Sequence, residues 1–359
     1  MRQPPLNMHL EPANLLQILF LFLTLFGLLL VRRASRFSSL GLLLCLQAVL
    51  MLFNFLEETG ITRDYYLLTP VFTLGFGPAI YLFVRHLTFG EFPPYPSLAL
   101  HFLPMVLALP FTYWPQLVIA LGSVSQACYL AAAVLLVRRY HRAAYASRSD
   151  APQLRLDWLT VLLGVFVVMM LQDLLRLNLQ PYAPLAWLQG WYFFNTTIYF
   201  VLTAYLILKA VHQPELYEGL AVARELRLDL SSPTADASRV DTEAAVIFAQ
   251  LDEQIRSQAL FKQPRLGLRD LASVTGLQEK TISWAINQGA GKNLSDYING
   301  LRVEAFCQAL DPQAPNANML DLAMAVGFGA KSTFNSAFKK ETGLTPSQYL
   351  QRQNTSKPA

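Results

Sequence analysis

Hydrophobic positions are arranged in two different ways along this 359-residue chain. Over the first 211 residues they form long runs, at about 14–31, 40–56, 66–84, 98–114, 117–137, 158–177 and 187–211. A helix that crosses a bilayer needs roughly 20 apolar residues, because each adds about 1.5 Å across a core about 30 Å thick. Most of the runs reach that length with their flanks, which predicts seven spans. The fourth contains Pro104 and Pro110, so a re-entrant fourth segment, or one merged with the fifth, is the alternative. The third contains Gly75-Phe76-Gly77-Pro78; proline removes a backbone donor, and a bend is expected there, as a moving part or as packing. Beyond about residue 245 the pattern changes. Apolar residues now recur at three- and four-residue spacing in short segments, the mark of small helices with one buried face.

Charge follows the same division. Only 14% of residues are charged, against about 25% in a soluble domain. Residues 1–212 hold 13 basic and 8 acidic groups, residues 213–244 hold 3 and 7, and residues 245–359 hold 12 and 9. With the N-terminus outside, the inner loops carry Arg32, Arg33, Arg36, Arg85, Arg138, Arg139, Arg142, Arg148 and Arg155, and the outer side only Arg2, Arg63 and Arg176. Positive charge collects on the cytoplasmic side of spanning proteins, so everything after the seventh span is expected in the cytoplasm. A cleaved leader would place its basic residues before the first run, whereas here they follow it. Pro214 stops the seventh helix, and a linker (213–241) includes the turn-rich Ser231–Ser238 stretch. Leu226, Leu228 and Leu230 alternate within it, a pattern that fits pairing with another chain or simple packing.

Polar groups inside the apolar runs are the candidates for chemistry in the first part. Asn54 and Glu57 end the second run, Gln172 and Asp173 sit in the sixth, and Asn195 sits in the seventh. Such groups at membrane depth are costly and often functional. Asn54, Glu57, Asp173, Trp191 and Asn195 are therefore candidates for a small-ligand pocket open to the outer side. The competing reading of the aromatics Tyr65, Tyr66, Tyr113, Trp114, Tyr182, Trp187, Trp191 and Tyr192 is an interfacial belt. Three cysteines and five histidines are scattered, without metal-ligand spacing. No paired carboxylates and no nucleophile–base arrangement point to an enzyme or transporter, and no cofactor is expected.

The last part contains a repeat. Asp270-Leu271-Ala272 and Gly276 are matched 51 residues later by Asp321-Leu322-Ala323 and Gly327; Ile282, Ile286, Gly291, Ser295 and Tyr297 are matched 52 residues later by Phe334, Phe338, Gly343, Ser347 and Tyr349. Each unit reads as helix, tight turn, helix. Leu268, Leu271 and Ala272 form the buried face of the first helix, Gly276 ends it in the left-handed conformation, and Leu277, Ile282 and Ile286 mark the inner side of the second. Leu322, Ala323, Gly327, Phe328, Phe334 and Phe338 repeat the scheme. This is the helix-turn-helix pattern, whose second helix enters the major groove. A helix at 294–310, about 25 Å long, joins the units and could hold the two recognition helices roughly one DNA turn, about 34 Å, apart.

The segments "AVGF", "FKKETG", "TPSQY" and "YINGLRVE" resemble the DNA-binding domain of the AraC/XylS transcriptional regulators, most closely the branch with a multi-span membrane sensor. The resemblance runs over about 110 residues, from a helix at 242–257 to Gln353. It implies an all-α protein: seven spans (1–212), the linker, and a double helix-turn-helix domain (242–355) with a short tail. It also implies a bacterial inner-membrane regulator that binds double-stranded promoter DNA, with a homodimer and a contact to RNA polymerase as further expected partners beside the lipid bilayer. The signal would be a small ligand or an envelope signal. The alternative is a receptor-like protein whose helical domain binds a protein partner instead.

Opposite the buried residues, Lys280, Ser283, Trp284 and Asn287 in the first unit, and Lys331, Ser332, Asn335, Ser336 and Lys339 in the second, are left to face a groove. Asparagine can read adenine bidentately; lysine and serine are less selective. Lys292, Lys339 and Lys340 are placed for phosphates, which supply affinity and salt dependence. The terminal lysines also fit a solvated helix end favoured by the dipole. Relative to the family pattern, Gly329-Ala330 replaces Asn-Ser ahead of the second recognition helix. Ala330 cannot cap it, at a cost of about 1 kcal/mol. Ser336 replaces a common arginine, Trp284 a polar residue, and Phe306 an alanine.

Overall fold

The structure, a computed structural model, describes residues 11–31, 38–62, 66–90, 93–212, 237–310 and 319–355. Most of the linker with its alternating leucines, Arg2, Arg32, Arg33, Arg36, Arg63, Tyr65 and the tail lie outside the described residues. Among the described residues the secondary structure is all-helical apart from one isolated bridge, Arg148 to Gly267. Two compact units divide the chain: Met1–Arg138 with Leu156–Ala221, and Arg139–Arg155 with Val222–Ala359.

The first unit is built from α1 (Pro12–Val31), α2 (Ser38–Glu58), α3 (Phe72–Phe89), α4 (Tyr95–Leu107), the start of α5 (Pro115–Ser147), α6 (Asp157–Leu179) and α7 (Leu185–His212). Seven helical segments among the described residues are long and apolar enough to cross a membrane. The fourth is short because of its prolines. Pro104 lies within α4, and Pro110 lies in a 3-10 turn, Leu109–Tyr113, that precedes α5. Fourth and fifth segments are thus separate helices. Helix α3 continues through Pro78. A Cβ on Gly77 would lie 2.9 Å from the Gln126 backbone, so this glycine lets α3 and α5 meet almost backbone to backbone. Packing accounts for the motif.

The second unit contains α8 (Ala237–Ser257), α9 (Leu268–Thr275), α10 (Glu279–Ala290), α11 (Leu294–Ala309), α12 (Met319–Ala325), α13 (Lys331–Thr342) and α14 (Pro346–Thr355). Helix α8 starts at Ala237, five residues before the expected start at Thr242. The repeat is present as two helix pairs, α9–α10 and α12–α13, joined by α11. Gly276 (φ 71°) ends α9 and Gly343 (φ 75°) ends α13, both left-handed. Two clusters of side chains form the core. One joins Leu251, Ile255, Leu268, Leu271, Ile282 and Ile286 to Ile298 and Leu301 of α11. The other joins Phe306 to Ala323, Phe328, Phe334 and Phe338. Every apolar position assigned to the inner side is buried or packed against one of these clusters.

Phe306 shows how the second cluster absorbs its departure from the family pattern. Its ring lies 4.7 Å from that of Phe334 and 5.6 Å from that of Phe338, and Phe328 and Tyr349 extend the group. Edge and tilted contacts of this kind add to simple area burial.

Arg302 of α11 is the largest fully buried side chain of this unit. Its guanidinium donates to the carbonyls of Phe261 (2.7 Å) and Gln263 (2.8 Å), to Asn299 Oδ1 (3.0 Å) and to Ser149 Oγ (3.2 Å). Burial pushes its pKa down to about 10, opposed by the charge of Asp150. It therefore stays charged at neutral pH, and this set of acceptors is what a buried cation requires.

Candidate nucleic-acid interface

The fold separates the two faces of each recognition helix as their sequence spacing requires. On α13, Thr333, Phe334 and Phe338 are buried, whereas Lys331, Ser332, Asn335, Ser336, Lys339 and Lys340 are exposed. On α10, Ile282, Ala285 and Ile286 are buried. Lys280 and Asn287 are exposed, and Ser283 and Trp284 are half-buried. Asn287 donates to Ser283 Oγ at 3.5 Å, one turn back on the same face. Both helices thus carry a polar stripe of amide, hydroxyl and ammonium groups opposite their cores.

Two lysines assigned to phosphates have protein partners. Lys292 Nζ lies 2.9 Å from the Glu341 carboxylate, and Lys340 Nζ lies 2.6 Å from Asp296. Glu341 follows Lys340 near the end of α13, whereas Asp296 begins α11. These pairs cross-tie the end of the second recognition helix to the start of the linking helix. They are at least partly exposed, so they hold little energy and can yield to a phosphate.

The start of each recognition helix lacks a side-chain cap. Gln278 precedes α10 and Ala330 precedes α13, neither with a capping bond. Helix α11, by contrast, is capped by Asn293, whose side chain accepts from the Asp296 amide at 2.8 Å. The uncapped start of α13 is what Ala330 dictates.

Within the first unit, a cavity of about 300 Å³ is lined by residues of α1, α2, α3, α5, α6 and α7. Asn54, Asp173, Arg176, Tyr192 and Asn195 are among its lining residues. Glu57 and Trp191 are not. The Glu57 carboxylate accepts from the amides of Leu68 (2.6 Å) and Thr69 (3.0 Å) and from the Thr69 hydroxyl, and so holds the turn ahead of α3. Trp191 Nε1 donates to Gln172. Asp173 accepts from Arg176 Nε at 3.0 Å and from Asn195 Nδ2 at 3.4 Å. Asn195 is 7% exposed, and its Oδ1 is buried without a hydrogen-bond partner among the described residues.

Sequence reasoning passed over Arg302, Asn299 and Ser149. Ser295, Asn299 and Arg302 recur at spacings of four and three, which puts them on one helix face. That periodicity was the available signal. Among the described residues, no group of three or more His, Cys, Asp or Glu could hold a metal.

Residues 271–352 match a family model described as a helix-turn-helix domain. No curated protein and no solved structure matches the chain.

Proposed function

From an AraC-type helix-turn-helix domain at residues 271–352 that follows seven long apolar helices, we propose that this chain is a membrane-tethered one-component transcriptional regulator. The observation that carries this reading is the doubled polar stripe. Lys280, Ser283, Trp284 and Asn287 on α10 and Lys331, Ser332, Asn335, Ser336 and Lys339 on α13 lie opposite two cores related by an in-register repeat. In this reading Asn287 and Asn335 read base edges, and Lys339, with Lys292 and Lys340 once released from their carboxylates, meets phosphates. The basic inner loops set the N-terminus outside and the helix-turn-helix domain in the cytoplasm of a bacterial inner membrane. Tethering in a plane raises the effective concentration of two weak binders, which favours a homodimer on promoter DNA; bound there, it would be in position to contact RNA polymerase.

The cavity of the first unit is the proposed signal site. Its lining mixes apolar side chains with polar ones, among them Asn54, Gln126, Asp173 and Asn195. The Asp173 carboxylate is an acceptor there, which suits a small amphiphile carrying a hydroxyl or amine at one end. Asp173→Asn should change the output of a reporter gene while leaving binding to purified DNA unchanged.

The test of the function is selection from random duplex DNA by the full-length protein in lipid nanodiscs. A bipartite enriched sequence is expected, and Asn335→Ala with Lys339→Ala should weaken binding to it by at least about 2 kcal/mol. Absence of any enriched sequence would favour the protein-partner alternative.

A further inference from the structure

Residues 148–156 connect α5 to α6, and as a loop between two spans they are expected to be solvated. Instead residues 148–155 belong to the second unit, and the middle of the loop is buried. Ser149 and Ala151 are 0% exposed and Asp150 is 5% exposed.

Nearly all the hydrogen-bonding capacity of Ser149 is spent on the helix-turn-helix domain. Its amide donates to the Leu266 carbonyl at 2.9 Å. Its carbonyl accepts from Asn299 Nδ2 at 2.9 Å and from Ser295 Oγ at 3.4 Å. Its hydroxyl accepts from buried Arg302. Beside it, Asp150 receives both Arg148 Nε (2.8 Å) and Arg148 NH2 (3.0 Å), which fixes the turn. Four residues on, Gln153 Nε2 donates to Thr333 Oγ1 at 3.2 Å, on the buried side of α13.

These partners lie in three places: the approach to the first helix-turn-helix (Leu266), the linking helix (Ser295, Asn299, Arg302) and the second recognition helix (Thr333). A single short loop therefore touches the segment that leads into the first repeat, the helix between the repeats and the second recognition helix. Burying a serine backbone and a guanidinium is costly unless each polar atom is paired. Here each completes the other, so neither the loop nor the α11 face is self-sufficient.

We infer that the loop between the fifth and sixth spans is a docking segment of the DNA-binding domain. It forms a second attachment to the membrane helices, independent of the 213–236 linker, and it holds the two recognition helices in a fixed mutual setting. A change in α5 or α6 then reaches the second recognition helix directly through Gln153, and the first through Ser149 by way of Leu266 and α11, without passing through α7. The consequence for DNA rests on the regulator reading above; the attachment does not.

Two measurements on the full-length protein in nanodiscs test the attachment. In hydrogen exchange on the unmodified protein, the Ser149 amide should exchange at least about a hundredfold slower than an open loop; exchange at the open-loop rate overturns the proposal. In the second, a protease site replaces Ser231–Ser238 and the linker is cut. The released C-terminal piece should stay with the nanodisc, and replacing residues 148–153 by glycine and serine at equal length should set it free. Loss of the piece from both forms at the same rate overturns the second attachment.

A third measurement tests the fixed setting, using DNA selected by the full-length protein. The loop-replaced protein, uncut and with exchange protection retained in α10 and α13, should bind the bipartite site at least about tenfold more weakly, with binding to one half-site unchanged. Gln153→Ala, which leaves Arg302 paired, should show a smaller loss in the same direction. Equal affinity in all three proteins overturns the fixed setting. Failure of every form to bind DNA would sink the regulator reading and leave the attachment results standing.

Discussion

Phe306→Ala restores the residue that the family pattern favours, and we expect it to damage this particular domain. The ring is 1% exposed and touches Phe334 and Phe338 of the second recognition helix. Deleting a buried phenylalanine ring costs about 3–5 kcal/mol, a figure that already contains its aromatic contacts. A value near 4 kcal/mol corresponds to nearly three decades in an equilibrium constant. Domains are stable by only about 5–15 kcal/mol, so the variant stays folded but opens far more often. Hydrogen exchange of the full-length protein should accelerate by roughly a thousandfold across Lys331–Thr342. The two core clusters share no residue, so Glu279–Ala290 should lose less protection. Unchanged exchange in α13 would refute the role given to the ring. Equal acceleration in both helices would refute two separately packed clusters.

Three further outcomes follow from single contacts. Gly327 has φ 104°, and a Cβ there would lie 2.7 Å from the Lys262 backbone; Gly327→Ala should lower stability by more than about 1–3 kcal/mol, read as a fall in the unfolding midpoint. Ala330→Ser supplies the missing cap of α13 and should add about 1 kcal/mol, seen as slower exchange of the Ser332 and Thr333 amides. Glu341→Gln frees Lys292 from its partner 2.9 Å away. Stability should change by less than about 1 kcal/mol, while the slope of log affinity for selected DNA against log salt steepens by about 0.9; an unchanged slope would show that Lys292 does not reach a phosphate.

The parts of the fold that sequence reasoning reached are those governed by local periodicity. Run length marked the seven helical segments that are long and apolar enough to cross a membrane, since a bilayer imposes one length on every crossing helix. Spacing of three and four marked Ile282, Ile286, Phe334 and Phe338, because a helix face is a local property. Gly276 was legible because a glycine just after such a face marks a left-handed helix end. Partners distant in the chain were not. Lys292 and Lys340 read as phosphate ligands because Glu341 and Asp296 lie 49 and 44 residues away, and spacing cannot reveal such a pair. Glu57 looked like a ligand group for an analogous reason. Its charge is conspicuous in the sequence, but the amides of Leu68 and Thr69 that absorb it carry no side-chain signature.

Ser149 extends this point to mechanism. Nothing in "SRSDAPQ" distinguishes it from an ordinary basic loop, and by charge it counts only toward orientation. Its meaning lies in Arg302, 153 residues away. A buried guanidinium in a helix that also carries Ile298 and Leu301 has too many donors for α11 to satisfy alone. Two go to carbonyls before α9, one to Asn299, and the remaining contact is to Ser149. The chemistry of that one side chain thus makes the α11 face incomplete without a segment that sequence order assigns to the membrane half. A buried pair of this kind adds little net stability over an apolar substitute, but it is expensive to break. That asymmetry suits a connection that must hold one register rather than maximise affinity. It also explains why the polar cluster sits on the linking helix: at that position a single loop can touch both the lead-in to the first repeat and the second recognition helix, as Leu266 and Thr333 show.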